Sequence, residues 1–230
     1  KFLNEYAIAS SCSFYPAHHI TTGEGGMVSS KNPKIINTAR SISWWGRDCF
    51  CVGSQNLCAD GTCKKRFSAW LPDSDKVIDH KYFFTNLGYN LKPLDFQGSI
   101  GQVQLQKFDE IHSKRVNSKN TIQTIFEKYV PGVKVISELE HASTSWFGTP
   151  IICETYDLKK RLVEYLEKNK IQTRNYFAGN ILLHPAYKEY GDYSQFPMAN
   201  QVLERVFFVG ASPHYDISVF EYFETVLKQF

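Results

Sequence analysis

Residues 13–26 read Ser13-Phe14-Tyr15-Pro16-Ala17-His18-His19-Ile20-Thr21-Thr22-Gly23-Glu24-Gly25-Gly26, and the reading of the whole chain starts from them. A short apolar entry leads to a proline, then to paired histidines, then to three glycines around one carboxylate. Proline restricts its own φ and glycine permits φ > 0, so the segment is expected to make a sharply defined turn. Imidazole exchanges protons near neutral pH, so a histidine held on such a turn is a candidate acid or base. Spacing alone leaves two readings open: a solvated loop with two surface histidines, or a rigid catalytic turn.

Tyr6-Ala7-Ile8-Ala9 is the expected strand into this turn, and Gly26-Met27-Val28-Ser29 the strand out of it. Pro33 should open a helix running to about residue 45. Residues 46–80 are a long connection, of a length that marks a functional or a disordered loop. Helical periodicity resumes from Pro93 to Tyr129, with Ile100, Val103, Phe108, Ile111, Ile122, Ile125 and Phe126 as its apolar positions. The Pro131-Gly132 break suggests a domain boundary, giving domains 1–131 and 132–230. Beyond it, strands are expected at 133–137, 147–153, 171–175 and 206–210. Helices are expected at 158–168, with Leu158, Leu162 and Leu166 on one face, and from Asp216 onward.

With 43% hydrophobic and 15% aromatic residues, the 230-residue chain can bury a sizeable core. A net charge of +3 without a basic run gives no reason to expect nucleic acid as a partner. No apolar stretch approaches the ~18 residues of a membrane span, and no signal peptide is visible. Lys1 is not a natural start, so the sequence is expected to be part of a larger protein.

The six cysteines sharpen the picture. Cys49-x-Cys51, Cys58 and Cys63 cluster between Arg47-Asp48 and Lys64-Lys65-Arg66. Such grouping points to metal binding in a reducing compartment, the cytoplasm, more than to a disulfide framework. Zinc, an iron–sulfur cluster and free thiols all remain open on spacing alone. The flanking cations suit a negatively charged cluster or an acidic partner. Cys153 sits in an apolar strand and reads as a small buried hydrophobe.

The Ser13–Gly26 segment closely resembles the cofactor-lysine region of the sugar aminotransferase family. These are fold-type I pyridoxal phosphate (PLP) enzymes acting on nucleotide-linked 4-keto-6-deoxyhexoses. Most members read Ser-Phe-x-Pro-x-Lys-x-x-Thr-Thr-Gly-Glu-Gly-Gly, and here His18 stands in the lysine position. Imidazole cannot anchor PLP covalently as that lysine does. The exchange marks the family's 3-dehydrase branch, which removes the sugar's 3-hydroxyl with pyridoxamine phosphate (PMP). Gly46–Cys51 and Cys63-Lys64-Lys65-Arg66-Phe67 resemble the iron–sulfur subgroup of that branch, which serves 3,6-dideoxyhexose and O-antigen synthesis.

This resemblance implies an α/β fold: the C-terminal part of a fold-type I (aspartate aminotransferase-like) enzyme. A remnant of the large PLP domain would carry the cysteine-rich loop 46–80, and a small α+β domain would follow. His18 would be the base that removes a proton at the cofactor's C4′ carbon. Ser13 and Asn90 would bind cofactor phosphate, Asn90 from across a homodimer. Arg174 and Asn180, in Thr173-Arg174-Asn175-Tyr176-Phe177-Ala178-Gly179-Asn180, would face the nucleotide sugar. Cys49, Cys51 and Cys63 would ligate a 2Fe–2S cluster supplied with electrons by an iron–sulfur/flavin reductase. The gap from Cys51 to Cys63 is longer than the family's, Cys58 is an extra candidate ligand, and the family's upstream cysteine would fall before Lys1. A redox-free, PLP/glutamate-dependent 3-dehydratase or a sugar aminotransferase-like protein is the alternative, with zinc or free thiols in the loop.

Overall fold

The structure is a computed structural model that describes residues 5–49, 66–68 and 71–230. The chain is α/β and divides into two compact units, residues 1–105 and 106–230.

In the first unit, β1 (Ser10–Ser13) and β2 (Gly26–Ser29) form an antiparallel hairpin with Ser10 opposite Ser29 and Ser13 opposite Gly26. β2 lies where expected. Its partner is Ser10–Ser13 and not Tyr6–Ala9, so β1 runs directly into the turn. α1 (Pro33–Ser43) begins as its sequence foretells, with Pro33 in its first turn. The Asn32 side chain accepts from Lys34 N at 3.0 Å, satisfying one of the donors a helix start leaves open. α2 (Asp95–Gln106) ends the unit.

In the second unit, α3 (Phe108–Tyr129) follows α2 after a break at Lys107. Then come β3 (Val133–Val135), β4 (Gly148–Cys153), α4 (Tyr156–Lys168), β5 (Thr173–Asn175), α5 (Pro197–Arg205), β6 (Val206–Gly210) and α6 (Ile217–Leu227). The four strands are antiparallel in the order β3-β4-β6-β5. Side chains alternate across a strand, so Phe207 and Val209 leave one face of β6 and Phe208 the other. The Phe207 face is the core. It is packed with Val135, Ile151 and Cys153 from the sheet, Ile122, Ile125 and Phe126 from α3, Leu158, Leu162 and Leu166 from α4, and Phe223, Val226 and Leu227 from α6. Phe126 meets Phe207 and Phe223 edge-on at 6.3 and 5.3 Å between ring centroids.

The division between units falls at Leu105–Gln106, upstream of the boundary expected at Pro131-Gly132. Pro131-Gly132 is a turn inside the second unit. α3 lies with the second unit because its Ile122–Ile125–Phe126 stripe is buried against that unit's sheet.

Candidate active site

β1 delivers Ser13 to the mouth of the turn, and the loop beyond it is fastened from within. Phe14 N donates to Gly25 O at 2.9 Å and Thr22 N to Phe14 O at 3.1 Å. Thr21 Oγ1 donates to Phe14 O at 3.1 Å and accepts from Gly23 N at 2.9 Å, while Thr22 Oγ1 donates to Glu24 O at 2.6 Å. The Thr-Thr-Gly-Glu-Gly run is therefore scaffolding. His18 closes a tighter turn inside it: its N donates to Tyr15 O at 2.9 Å, and its half-buried ring meets the edge of Tyr15 at 5.8 Å. Gln97 on α2 adds an outer clamp that sequence reasoning misses. Its Nε2 donates to Glu24 O at 2.8 Å and its Oε1 accepts from Leu94 N at 2.7 Å.

Asn90 belongs to a separate network in the same unit. Tyr89 N donates to Ile42 O at 2.7 Å, Leu91 N to Ser43 O at 2.9 Å and Trp45 N to Tyr89 O at 2.9 Å. Residues 89–91 thus run along the end of α1. Lys92 Nζ donates to Asn90 Oδ1 at 2.5 Å, which leaves the amide hydrogens of Asn90 to donate elsewhere. The same ammonium lies 3.6 Å from the Trp45 ring centroid, and the Arg47 guanidinium lies 4.5 Å from it. This aromatic–cation stack was not legible in advance, because Lys92 is remote in sequence from Trp45 and Arg47.

The ends of the cysteine loop are anchored to one short segment. Asp48 N donates to Phe83 O at 2.9 Å. His80 N donates to Arg66 O at 2.8 Å, the His80 ring Nδ1 lies 3.1 Å from the same oxygen, and Arg66 approaches Asp79 at 3.8 Å. Residues 79–83 therefore hold both Asp48, next to Cys49, and Arg66, three residues beyond Cys63. Cys49 is a half-buried free thiol. Cys51, Cys58 and Cys63 lie outside the described residues. Among the described residues no three potential metal ligands come together.

Arg174 and Asn180 lie in the second unit, and the structure gives them different roles. Arg174 is exposed on β5, opposite Phe208. Asn180 is buried. Its Nδ2 donates to Tyr193 O at 3.0 Å and to Asn200 Oδ1 at 2.8 Å, and its Oδ1 accepts from Leu182 N at 3.1 Å. In this arrangement the Asn180 amide ties residues 180–200 together. Lys159, which carried no signal in the sequence, is buried on α4 and donates to Asn175 Oδ1 at 2.9 Å and Leu203 O at 2.6 Å. Burial lowers its pKa, and burial raises the thiol of nearby Cys153 to about 11.

The donor set of the first unit fits a phosphate-bearing aldehyde or amine cofactor held without a covalent bond. Ser13 Oγ accepts from Tyr15 N at 3.3 Å, so its own hydroxyl proton is left to donate. At His18 such a cofactor would meet an imidazole, which exchanges protons and forms no Schiff base.

The sequence profile of the DegT/DnrJ/EryC1/StrS aminotransferase family matches residues 2–221. The chain is 33% identical over 234 residues to the lipopolysaccharide biosynthesis protein RfbH of Salmonella typhimurium, covering 100% of this chain and 53% of that protein. It is 34% identical over 225 residues to the dTDP-4-dehydro-2,6-dideoxy-D-glucose 3-dehydratase of Saccharopolyspora spinosa, covering 96% of this chain and 48% of that one. Among solved structures, E. coli GDP-4-keto-6-deoxy-D-mannose-3-dehydratase with bound hydrated PLP is similar with a TM-score of 0.73 at 25% identity. The match covers 99% of this chain and 56% of that one. The chain thus spans about half the length of the relatives it matches.

Proposed function

The chain belongs to the DegT/DnrJ/EryC1/StrS aminotransferase family, and from that membership we propose that it is part of a PMP-dependent 3-dehydrase of nucleotide-linked 4-keto-6-deoxyhexoses. One observation carries this reading: a histidine, His18, stands on the fastened turn where family members place the lysine that anchors the cofactor. PMP, when bound, supplies an amine to the sugar's C4 ketone and a ring that accepts an electron pair. His18 removes the proton at the cofactor's C4′ carbon. A positioned base of this kind contributes ~10²–10⁴-fold. Ser13 donates to the cofactor phosphate, and Asn90 does so from the neighbouring subunit of a homodimer, its amide presented by Lys92. Arg174 pairs with the substrate's diphosphate, and Asn180 shapes the segment behind it.

In the finer reading, Cys49, Cys51 and Cys63, or Cys58 in place of Cys63, hold a 2Fe–2S cluster that takes single electrons from a reductase. The enzyme would then serve 3,6-dideoxysugar and lipopolysaccharide synthesis in the cytoplasm. The cysteine spacing and the common anchorage of residues 48 and 66 support it. The likeness to E. coli GDP-4-keto-6-deoxy-D-mannose-3-dehydratase favours a second reading, in which the reaction needs no cluster and the cysteines bind zinc or stay free.

The test is anaerobic purification of the full-length protein, with iron, sulfide and zinc analysis and a visible spectrum. It is followed by PMP with CDP-, GDP- and dTDP-linked 4-keto-6-deoxyhexoses. Loss of water from the sugar, dependent on PMP, is expected. Iron and sulfide in equal amounts select the cluster, and dehydration without either selects the redox-free reading. His18→Asn should retain PMP yet lower dehydration by ~10²–10⁴-fold. His18→Lys should dehydrate poorly and let borohydride fix PLP to the protein. A His18→Asn variant as fast as wild type would show that another group is the base.

A further inference from the structure

The second unit holds a cavity of about 320 Å³. Its most buried lining residues are Ile122 of α3, Val209 of β6 and Phe223 of α6, all part of the core. Aromatic rings make much of the rest: Tyr215 and Phe220 meet edge-on at 6.1 Å between centroids, and Tyr222 joins them. Apolar walls held against water forfeit the gain of burial, and an apolar occupant would recover it. Cavities of this size, with apolar walls and a few polar groups, are the usual form of a small-molecule site.

The polar groups of the lining differ in how they are engaged. Tyr222 Oη donates to Asn169 O at 2.8 Å, and the Gln172 amide accepts from Arg174 at 2.9 and 3.1 Å. Among the described residues, no hydrogen bond engages the Tyr215 hydroxyl and no ion pair engages the Lys170 ammonium. Gly210 makes room for that hydroxyl, since a Cβ there would lie 3.1 Å from Tyr215 Oη. Burial raises the Tyr215 pKa, so the phenol stays a donor at neutral pH. Lys170 follows the end of α4 with a φ of +58°, in the left-handed region that glycine suits. Its N and that of Ile171 donate to Glu167 O and Leu166 O at 3.0 and 2.9 Å, which closes the helix end through backbone alone. Glycine would make the same closure with less strain; the lysine adds a cation to the cavity. The lining includes that cation and no carboxylate.

We propose that this cavity binds a small aromatic acid, its ring among Tyr215, Phe220 and Phe223 and its carboxylate on the Lys170 ammonium and the Tyr215 hydroxyl. Ring edges and faces suit an aromatic body, and a cation beside a hydroxyl donor suits a carboxylate. The site is separate from the proposed reaction: none of these residues belongs to the His18 turn, to the Asn90 network or to residues 173–180.

Calorimetric titration of the full-length protein with 2-naphthoate tests this, beside 2-naphthalenemethanol as a neutral probe of similar shape. 2-Naphthoate should bind once per chain. The alcohol should bind about two- to fivefold more weakly, the range of a partly exposed charge pair. Lys170→Gly suits the left-handed φ, so this variant should melt no lower than wild type and yet bind the acid no better than the alcohol. Val219 lines the cavity from α6 and is 39% exposed, so Val219→Trp can fill the space without entering the core. That variant, with its melting temperature confirming the fold, should exclude both probes. Failure of wild type to bind 2-naphthoate would overturn the proposal, as would binding that Lys170→Gly and folded Val219→Trp both leave unchanged. Equal affinity of wild type for acid and alcohol would overturn the assignment of an acid as the ligand.

Discussion

Single residues here are decided by their neighbours more than by their type. His18 and His19 are adjacent, yet only His18 closes the Tyr15 turn with a half-buried ring, whereas His19 is exposed. Cys153 shows the same principle in a thiol. It is fully buried between sheet and helices, and burial raises its pKa from 9.0 to about 11. The folded chain keeps this proton where the unfolded chain has lost it, so the associated stability is complete below pH 9 and is lost as pH rises to about 11. A shift of that size corresponds to roughly 2–3 kcal/mol. The buried amine of Lys159 works in the opposite sense, because its folded-state pKa is lowered and rising pH relieves the burial of its charge. Urea unfolding at pH 8.5, 10 and 11 should therefore give a steeper decline for wild type than for Cys153→Ala. Parallel pH profiles for the two proteins would refute the assignment.

At the scale of elements, one close backbone approach positions much of the first unit. The end of α1 and residues 86–91 approach so closely that glycine is required on both sides. A Cβ on Gly46, whose φ is +80°, would lie 1.8 Å from Asn86 O, and one on Gly88 would lie 2.1 Å from Gly46 N. Gly88→Ala should cost more than about 3 kcal/mol, in the range of severe local clashes, and loosen both Asn90 and the anchorage of the cysteine loop. Gly98, inside α2, is the counterpart: nothing lies within 4 Å of its would-be Cβ. Gly98→Ala should stabilise by about 0.5–1 kcal/mol through helix propensity alone. Thermal melts of the two variants should move in opposite directions. The loop glycines of the His18 turn were expected from sequence because they fall in one run. The Gly46–Gly88 contact was not, because it joins positions remote along the chain.

For the molecule as a whole, the core of the second unit gathers α3, α4 and α6 on one face of a four-stranded sheet. Phe126 is fully buried at the centre of that assembly, between Phe207 and Phe223. Phe126→Ala should destabilise the protein by about 3–5 kcal/mol, measured as a lower urea midpoint. A loss under 1 kcal/mol would mean that the three helices do not share one core. The other face of the sheet keeps its aromatic side chains for contacts outside this core. Among the described residues no helix is long and apolar enough to cross a membrane.

Sequence alone determined what local chemistry dictates. The Gly26–Ser29 and Val206–Gly210 strands, the start of α1 at Pro33 and the Asp216 cap of α6 stand where propensity and capping place them. The sharp turn around His18 was legible because its residues are contiguous. Tertiary structure decided what depends on contacts between remote segments. The α2–α3 break at Lys107 has no proline or glycine to announce it, and α5 lies among short turns without a clear period. The assignment of α3 to the second unit, the inward turn of Asn180 and the Lys92–Trp45–Arg47 stack all follow from where the chain returns upon itself. Periodicity records only which side of an element is apolar, and packing chooses the surface that side meets.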